Sequence, residues 1–169
     1  TRKESSAASD VYKRQVNGAA RGAGCDMALM CDIRLMASSA TLAESYINIG
    51  LMAGDAGAWY LPRLIGTARA LELFWTGRVV GAEEADRIGM VNRVVPDAEL
   101  MTATYDMART IAAKPQQAVR FFRRAVYQSQ TMALATHLDM VSSHMAVLED
   151  TPEHRAGIAA FRTRSRASK

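Results

Sequence analysis

The sequence is poor in the residues that build metal centres, disulfide scaffolds or membrane anchors. Its 169 residues include two cysteines, Cys25 and Cys31, too widely spaced for a C-x-x-C pair and too few for a disulfide framework. Of three histidines, His137 and His144 fall two turns apart on one helical face, and no carboxylate–histidine spacing accompanies them. A packing role is expected for both, and no metal. No apolar run approaches the roughly 18 residues that cross a bilayer, and no charged head followed by an apolar segment opens the chain. No membrane association and a cytoplasmic location are therefore expected. The net charge is +4, but Arg2, Lys3, Lys13 and Arg14 outweigh Glu4 and Asp10 in the first 15 residues. The remainder is close to neutral, and nothing argues for nucleic acid.

Nucleotide loops are missing as well. Gly22 and Gly24 form G-x-G, yet Met27 stands where a third glycine would be, and no Gly-Lys-Ser/Thr or G-x-S-x-G occurs. A phosphate cradle is unsupported, and no cofactor is expected.

What is present is an ordinary globular composition, 49% hydrophobic and 22% charged, of about one domain's length. Residues 1–15 lack periodicity and read as a non-native extension, with Val11 and Tyr12 expected to pack against nothing. From Val16 the chain mixes short strands and helices. Helix is expected over 25–30, strand over 33–37 and again at 41–42. Two helices, 56–65 and 67–76, are split by Gly66, with Gly77 as a C-cap. A short helix at 81–89 has its acids in the first turn, and a strand runs from Met90 to Val95. Beyond Pro96 everything reads as helix: 97–113, 116–129, 131–149 and 152–164. Thr151 and Pro152 supply an N-cap and a first-turn proline. Leu134, Leu138, Val141, Met145 and Leu148 form one apolar stripe, an oligomerisation face or an ordinary packing face. The expected domains are 16–96, an α/β core, and 97–169, a helical region.

The stretch VNGAARGAGCDMALMCDIRLMA holds the first chemistry. Small residues before a helix let ligand atoms approach the backbone, and a helix N-terminus offers unpaired N–H groups with partial positive charge. Such a place suits an enolate oxygen as well as a phosphate, although a plain strand-to-helix turn reads the same way.

Read onward, the motifs fall into an order. Asn17-Gly18 precedes Gly22-Ala23-Gly24-Cys25-Asp26 and Cys31-Asp32-Ile33. Then come Ile49-Gly50-Leu51, Gly54-Asp55-Ala56-Gly57, Leu61-Pro62-Arg63-Leu64-Ile65-Gly66 and Thr76-Gly77. Ala82-Glu83-Glu84-Ala85, Gly89-Met90-Val91 and Val94-Val95-Pro96 complete the run. This series resembles the enoyl-CoA hydratase/isomerase (crotonase) superfamily, whose pattern includes N-G-x-A-x-G-G-G-x-E/D, C-D-I/L, L-G-L-x-P-G-x-G-G and L-x-R-x-x-G. The likeness runs from Val16 to about Arg166.

The resemblance implies an α/β fold, a ClpP-like spiral of β–β–α units followed by a C-terminal helical region that makes trimers or dimers of trimers. It implies an acyl-CoA thioester substrate, with coenzyme A as part of that substrate, and enolate chemistry in an oxyanion hole. One donor is the backbone N–H of Ala23, flanked by Gly22 and Gly24; the other lies upstream of Val16. The family's hydratases use two glutamates. The first falls on Asp26, and an acid there also has a helix-dipole explanation. The second falls on Tyr46, expected as a pocket wall, which weakens hydration. Glu44 shares the face of Tyr46 if that segment is extended. Dienoyl-CoA isomerase and dehalogenase branches carry an acid in the Gly54–Gly57 loop, one position before Asp55. Asp55 is thus either a proton-transfer group, partly desolvated by Ile49, Leu51 and Met52, or the N-cap of the next helix. Arg164 matches a basic residue near the CoA phosphate, in a position a basic tail would also fill. Enoyl-CoA hydration is expected, with double-bond isomerisation or non-catalytic acyl-CoA binding as alternatives.

Overall fold

A computed structural model describes residues 13–167, with the side chains of 13–14 and 164–167 outside the description. Val11 and Tyr12, expected to pack against nothing, also lie outside the described residues. Two compact units divide the chain at Ala108.

The first unit alternates strands between two small sheets. Strands β1 (Lys13–Val16), β3 (Ile33–Ala37) and β6 (Arg93–Val95) form one sheet in the order β1-β3-β6, all parallel. Strands β2 (Ala19–Arg21), β4 (Thr41–Ala43) and β5 (Val80–Gly81) form the other, β2 parallel to β4 and β4 antiparallel to β5. Each pair of strands feeds a helix: β1 and β2 lead into α1 (Ala23–Leu29), and β3 and β4 into α2 (Gly57–Ile65) and α3 (Thr67–Thr76). This is a β–β–α repeat winding about a shared core. That core includes Leu29, Leu35, Met36, Leu42, Leu61, Leu73 and Met90, none more than 2% exposed. Full burial of each such side chain is worth about 1.5–3 kcal/mol.

Several expectations need correction. Lys13, Arg14 and Gln15, placed in the non-native extension, belong to β1 and pair with Ile33, Arg34 and Leu35. The small-residue stretch at 19–21 is a strand, because its backbone pairs with β4 while its side chains need little room. The strand expected from Met90 begins at Arg93: the amides of Met90 and Val91 both turn back to the Ala85 carbonyl, closing α4 (Ala82–Arg87). The segment after Glu44 is not extended but a 3-10 turn over Ser45–Ile49, so Glu44 and Tyr46 are not related by strand alternation. The boundary at 96/97 also shifts, since Leu100 and Thr104 of α5 (Leu100–Ala112) are buried and Leu100 joins the first unit's core.

Caps follow the sequence closely. Gly77 adopts φ +58° and donates to the Leu73 carbonyl. Thr151 Oγ1 accepts the amide of His154, two residues into α8 (Pro152–Ala167).

The second unit contains α6 (Gln116–Ser129), α7 (Leu134–Glu149) and α8. Two of its histidines, His137 and His144, pack. The His144 ring stacks on Phe121 at 4.3 Å between centroids, and His137 Nε2 lies 3.1 Å from the Ala125 carbonyl oxygen. The expected stripe divides: Val141, Met145 and Leu148 line a groove of about 280 Å³ against α6, while Leu134 and Leu138 face outward.

Candidate active site

The site forms where three segments of the first unit converge. Gly22, at φ +50°, turns the chain from β2 into α1. That conformation favours glycine, and the Tyr46 ring lies against the same point: a Cβ on Gly22 would sit 3.4 Å from it. Ala23 opens α1 and is exposed. Its amide precedes the first N–H with an intrahelical partner, that of Asp26 to the Gly22 carbonyl at 2.9 Å. The Ala23 and Gly24 amides therefore have no carbonyl acceptor among the described residues, as the first turn of a helix dictates.

One turn in, Asp26 is fully buried. Its Oδ2 accepts the Tyr46 hydroxyl at 3.0 Å and the Asp55 backbone N–H at 3.2 Å, while Oδ1 has no partner among the described residues. Glu44, at the end of β4, is 2% exposed, and neither of its carboxyl oxygens has a partner among the described residues. The two acids meet at Gly57. A Cβ there would overlap Asp26 Oδ1 and stand 3.2 Å from Glu44 Oε1, so only glycine fits.

Crowding two carboxyls away from water disfavours ionising both. Burial first, and the Asp26 charge second, push the Glu44 carboxyl up to about 8. Burial, then Glu44, raises the Cys25 thiol far above its usual range, which makes that buried cysteine a packing residue rather than a nucleophile. Burial and the hydrogen bond to Asp26 likewise hold the Tyr46 phenol protonated.

Beside the pair opens a cavity of about 460 Å³ with walls from Tyr46, Leu51, Met52, Phe74 and Trp75. Glu44 is the one carboxyl on this apolar lining. Cavities of this size and character take small apolar groups with a few polar groups fixing their orientation.

Most of the expected residues converge here, with changed parts for some. Tyr46 lines the cavity and donates a hydrogen bond to Asp26. Asp55 contributes its backbone, but its side chain is exposed, as are Ile49, Leu51 and Met52, so the expected desolvation is absent. Nor does it cap α2, whose N-cap position is Ala56 with no side-chain cap bond. Gly54 faces open space. Arg164 lies in α8, its side chain outside the described residues. Sequence reasoning placed Glu44 by strand alternation, whereas the 3-10 turn after it is what brings Glu44 and Tyr46 together at Asp26. The close approach at Gly57 carried no signal beyond a glycine in a matching motif.

Ala56 is the described residue other than glycine with positive φ, at 73°. The family pattern puts glycine there, and the left-handed conformation costs an alanine about 1–2 kcal/mol.

Two interleaved sheets wound by β–β–α units, with buried acids beside the free amides of a helix start, define a crotonase-type α/β fold. The family model for enoyl-CoA hydratase/isomerase matches residues 14–168, and the chain belongs to that family. It is 37% identical over 87% of its length to a short-chain-enoyl-CoA hydratase of Clostridioides difficile, covering 94% of that protein. It is also 34% identical over 86% of its length to the 1,2-epoxyphenylacetyl-CoA isomerase of Escherichia coli, covering 56% of that protein. A Thermobifida fusca structure solved with acetoacetyl-CoA superposes with a TM-score of 0.80 at 34% identity, over 85% of this chain and 57% of that one. The chain thus spans little more than half the length of the latter two. Among the described residues no helix is long and apolar enough to cross a membrane.

Proposed function

We infer that the protein of which this chain forms part acts on acyl-CoA thioesters, and that its reaction is hydration of a 2-enoyl-CoA. The observation that carries this reading is the buried Asp26, fixed by two hydrogen bonds and lying one helical turn from the free Ala23 amide. An amide aimed at a thioester oxygen stabilises the enolate that forms as water adds, and removing one such donor typically costs about 10²–10³ in rate. Asp26, held in place by its two hydrogen bonds, takes the proton from water as its oxygen adds to C3. The double-bond pair moves to C2, and the enolate is quenched by a proton. The named hydratase relative supports the reading.

Isomerisation is the second reading, favoured by Tyr46 at the family's second acidic position and by Asp55 on the loop above Asp26. The isomerase relative supports it. In that reaction one carboxylate removes a proton and returns it two carbons away. Either way no cofactor beyond the substrate's CoA is needed, and Arg164 is positioned in sequence for the CoA phosphate. A homotrimer or dimer of trimers in the cytoplasm fits the exposed face of α7.

The test is product analysis. The full-length protein incubated with a trans-2-enoyl-CoA should give a 3-hydroxyacyl-CoA. A shifted double bond without added water would favour isomerisation, and tight thioester binding with no product would point to a non-catalytic binder.

A further inference from the structure

Glu44 stands outside the family's acidic positions, yet it is as deeply buried as Asp26. Buried carboxyls with a structural task are normally paired. Neither oxygen of Glu44 has a partner among the described residues, and no cation is offered to it. The ionisable groups around it are Cys25 and Asp26 of α1 and Tyr46 of the 3-10 turn. None is basic. Its one remaining face is the wall of the apolar cavity.

The two acids are not equivalent. Asp26 Oδ2 receives an O–H and an N–H, which fix its carboxyl in place. Glu44 has instead the Cys25 thiol and the Asp26 carboxyl beside it. Where the surroundings of one of two neighbouring carboxyls keep it protonated, that one can serve as the acid.

We propose that Glu44 is a catalytic residue, the carboxylic acid that protonates the substrate while Asp26 acts as base. This rests on the acyl-CoA reading above. A lone pair of water forms the C3–O bond as Asp26 takes a water proton. The C2=C3 electron pair moves to C2, delocalised into the thioester as an enolate. The C2 electron pair then takes the proton of Glu44, leaving it a carboxylate. Passage of the proton from Asp26 to Glu44 across Gly57 restores the pair, with one water added. Burial and the Asp26 charge, which push Glu44 up to about 8, keep it protonated at neutral pH.

The experiment compares wild type and Glu44→Gln of the full-length protein on a trans-2-enoyl-CoA, with kcat and KM measured from pH 6 to 9. Glutamine keeps shape and neutrality but has no acidic proton to give. Its kcat should fall by about 10²–10⁴, with KM changed little. Wild-type kcat should fall as pH rises past about 8. If Glu44→Gln retains kcat within a few-fold of an active wild type, Glu44 is not the acid and the acyl-CoA reading survives. If the wild type turns over no enoyl-CoA, both readings fall. Should the variant fail to fold, the wild-type profile decides: a limb falling near pH 8 supports the proposal, and a rate flat or rising to pH 9 overturns it.

Discussion

In the first unit a continuous cluster of buried side chains runs from Val16 to Leu100 and encloses two carboxyls. From Arg109 onward no described residue is buried, although Phe122, Leu134, Leu138 and Phe161 are large and apolar. The first unit stabilises itself, and it spends part of that stability on burying Asp26 and Glu44 together. The second presents apolar surface well beyond what scattered exposure requires. Rigid support therefore sits where the proposed proton transfer needs fixed geometry, and exposed apolar surface sits where the proposed assembly would cover it.

Substitutions sharpen the contrast. Gly57→Ala should do the most damage, because the new methyl overlaps Asp26 Oδ1. Overpacking of this kind costs about 1–3 kcal/mol, and the displaced carboxyl should abolish turnover; denaturant melts and rate assays read both. Ala56→Gly should act in the opposite direction, stabilising by about 1 kcal/mol through relief of a left-handed alanine. The smallest effect belongs to the second unit. Leu138→Ala, at a site 54% exposed, should stay within about 0.5 kcal/mol in dilute protein. A loss of several kcal/mol independent of concentration would mean that the helical unit has a core of its own.

Acidity offers a third comparison, readable without substrate. Glu44 is raised in the folded state from an ordinary value of 4.5, so the folded protein holds a proton that the unfolded chain releases. Between about pH 4.5 and 8 stability should therefore fall as pH rises. Glu44→Gln should flatten that slope in chemical denaturation at pH 5 and pH 8.

Much of this was legible in the sequence. Motif order gave the family, and helix periodicity with its glycine and proline stops placed nearly every helix within a few residues. Asp26, Ala23 and Tyr46 were identifiable because they occupy motif positions. Strand β2 was not legible, since Ala19, Ala20 and Arg21 have little strand propensity and are held by pairing with β4. The desolvation expected of Asp55 was not legible, because it depends on Ile49, Leu51 and Met52, which stay exposed. The burial of Glu44 beside Asp26 was not legible, because it comes from a 3-10 turn and a close approach to Gly57, which no local pattern encodes.

The most direct test of the account is the kcat of Asp26→Asn in the full-length protein, assayed beside Asp55→Asn on the same enoyl-CoA. The buried, doubly hydrogen-bonded carboxylate should be the one the transition state needs. Asp26→Asn should lose about 10²–10⁴ in kcat at nearly unchanged KM, with Asp55→Asn close to wild type. The reverse order, with Asp26→Asn active and Asp55→Asn dead, would contradict it.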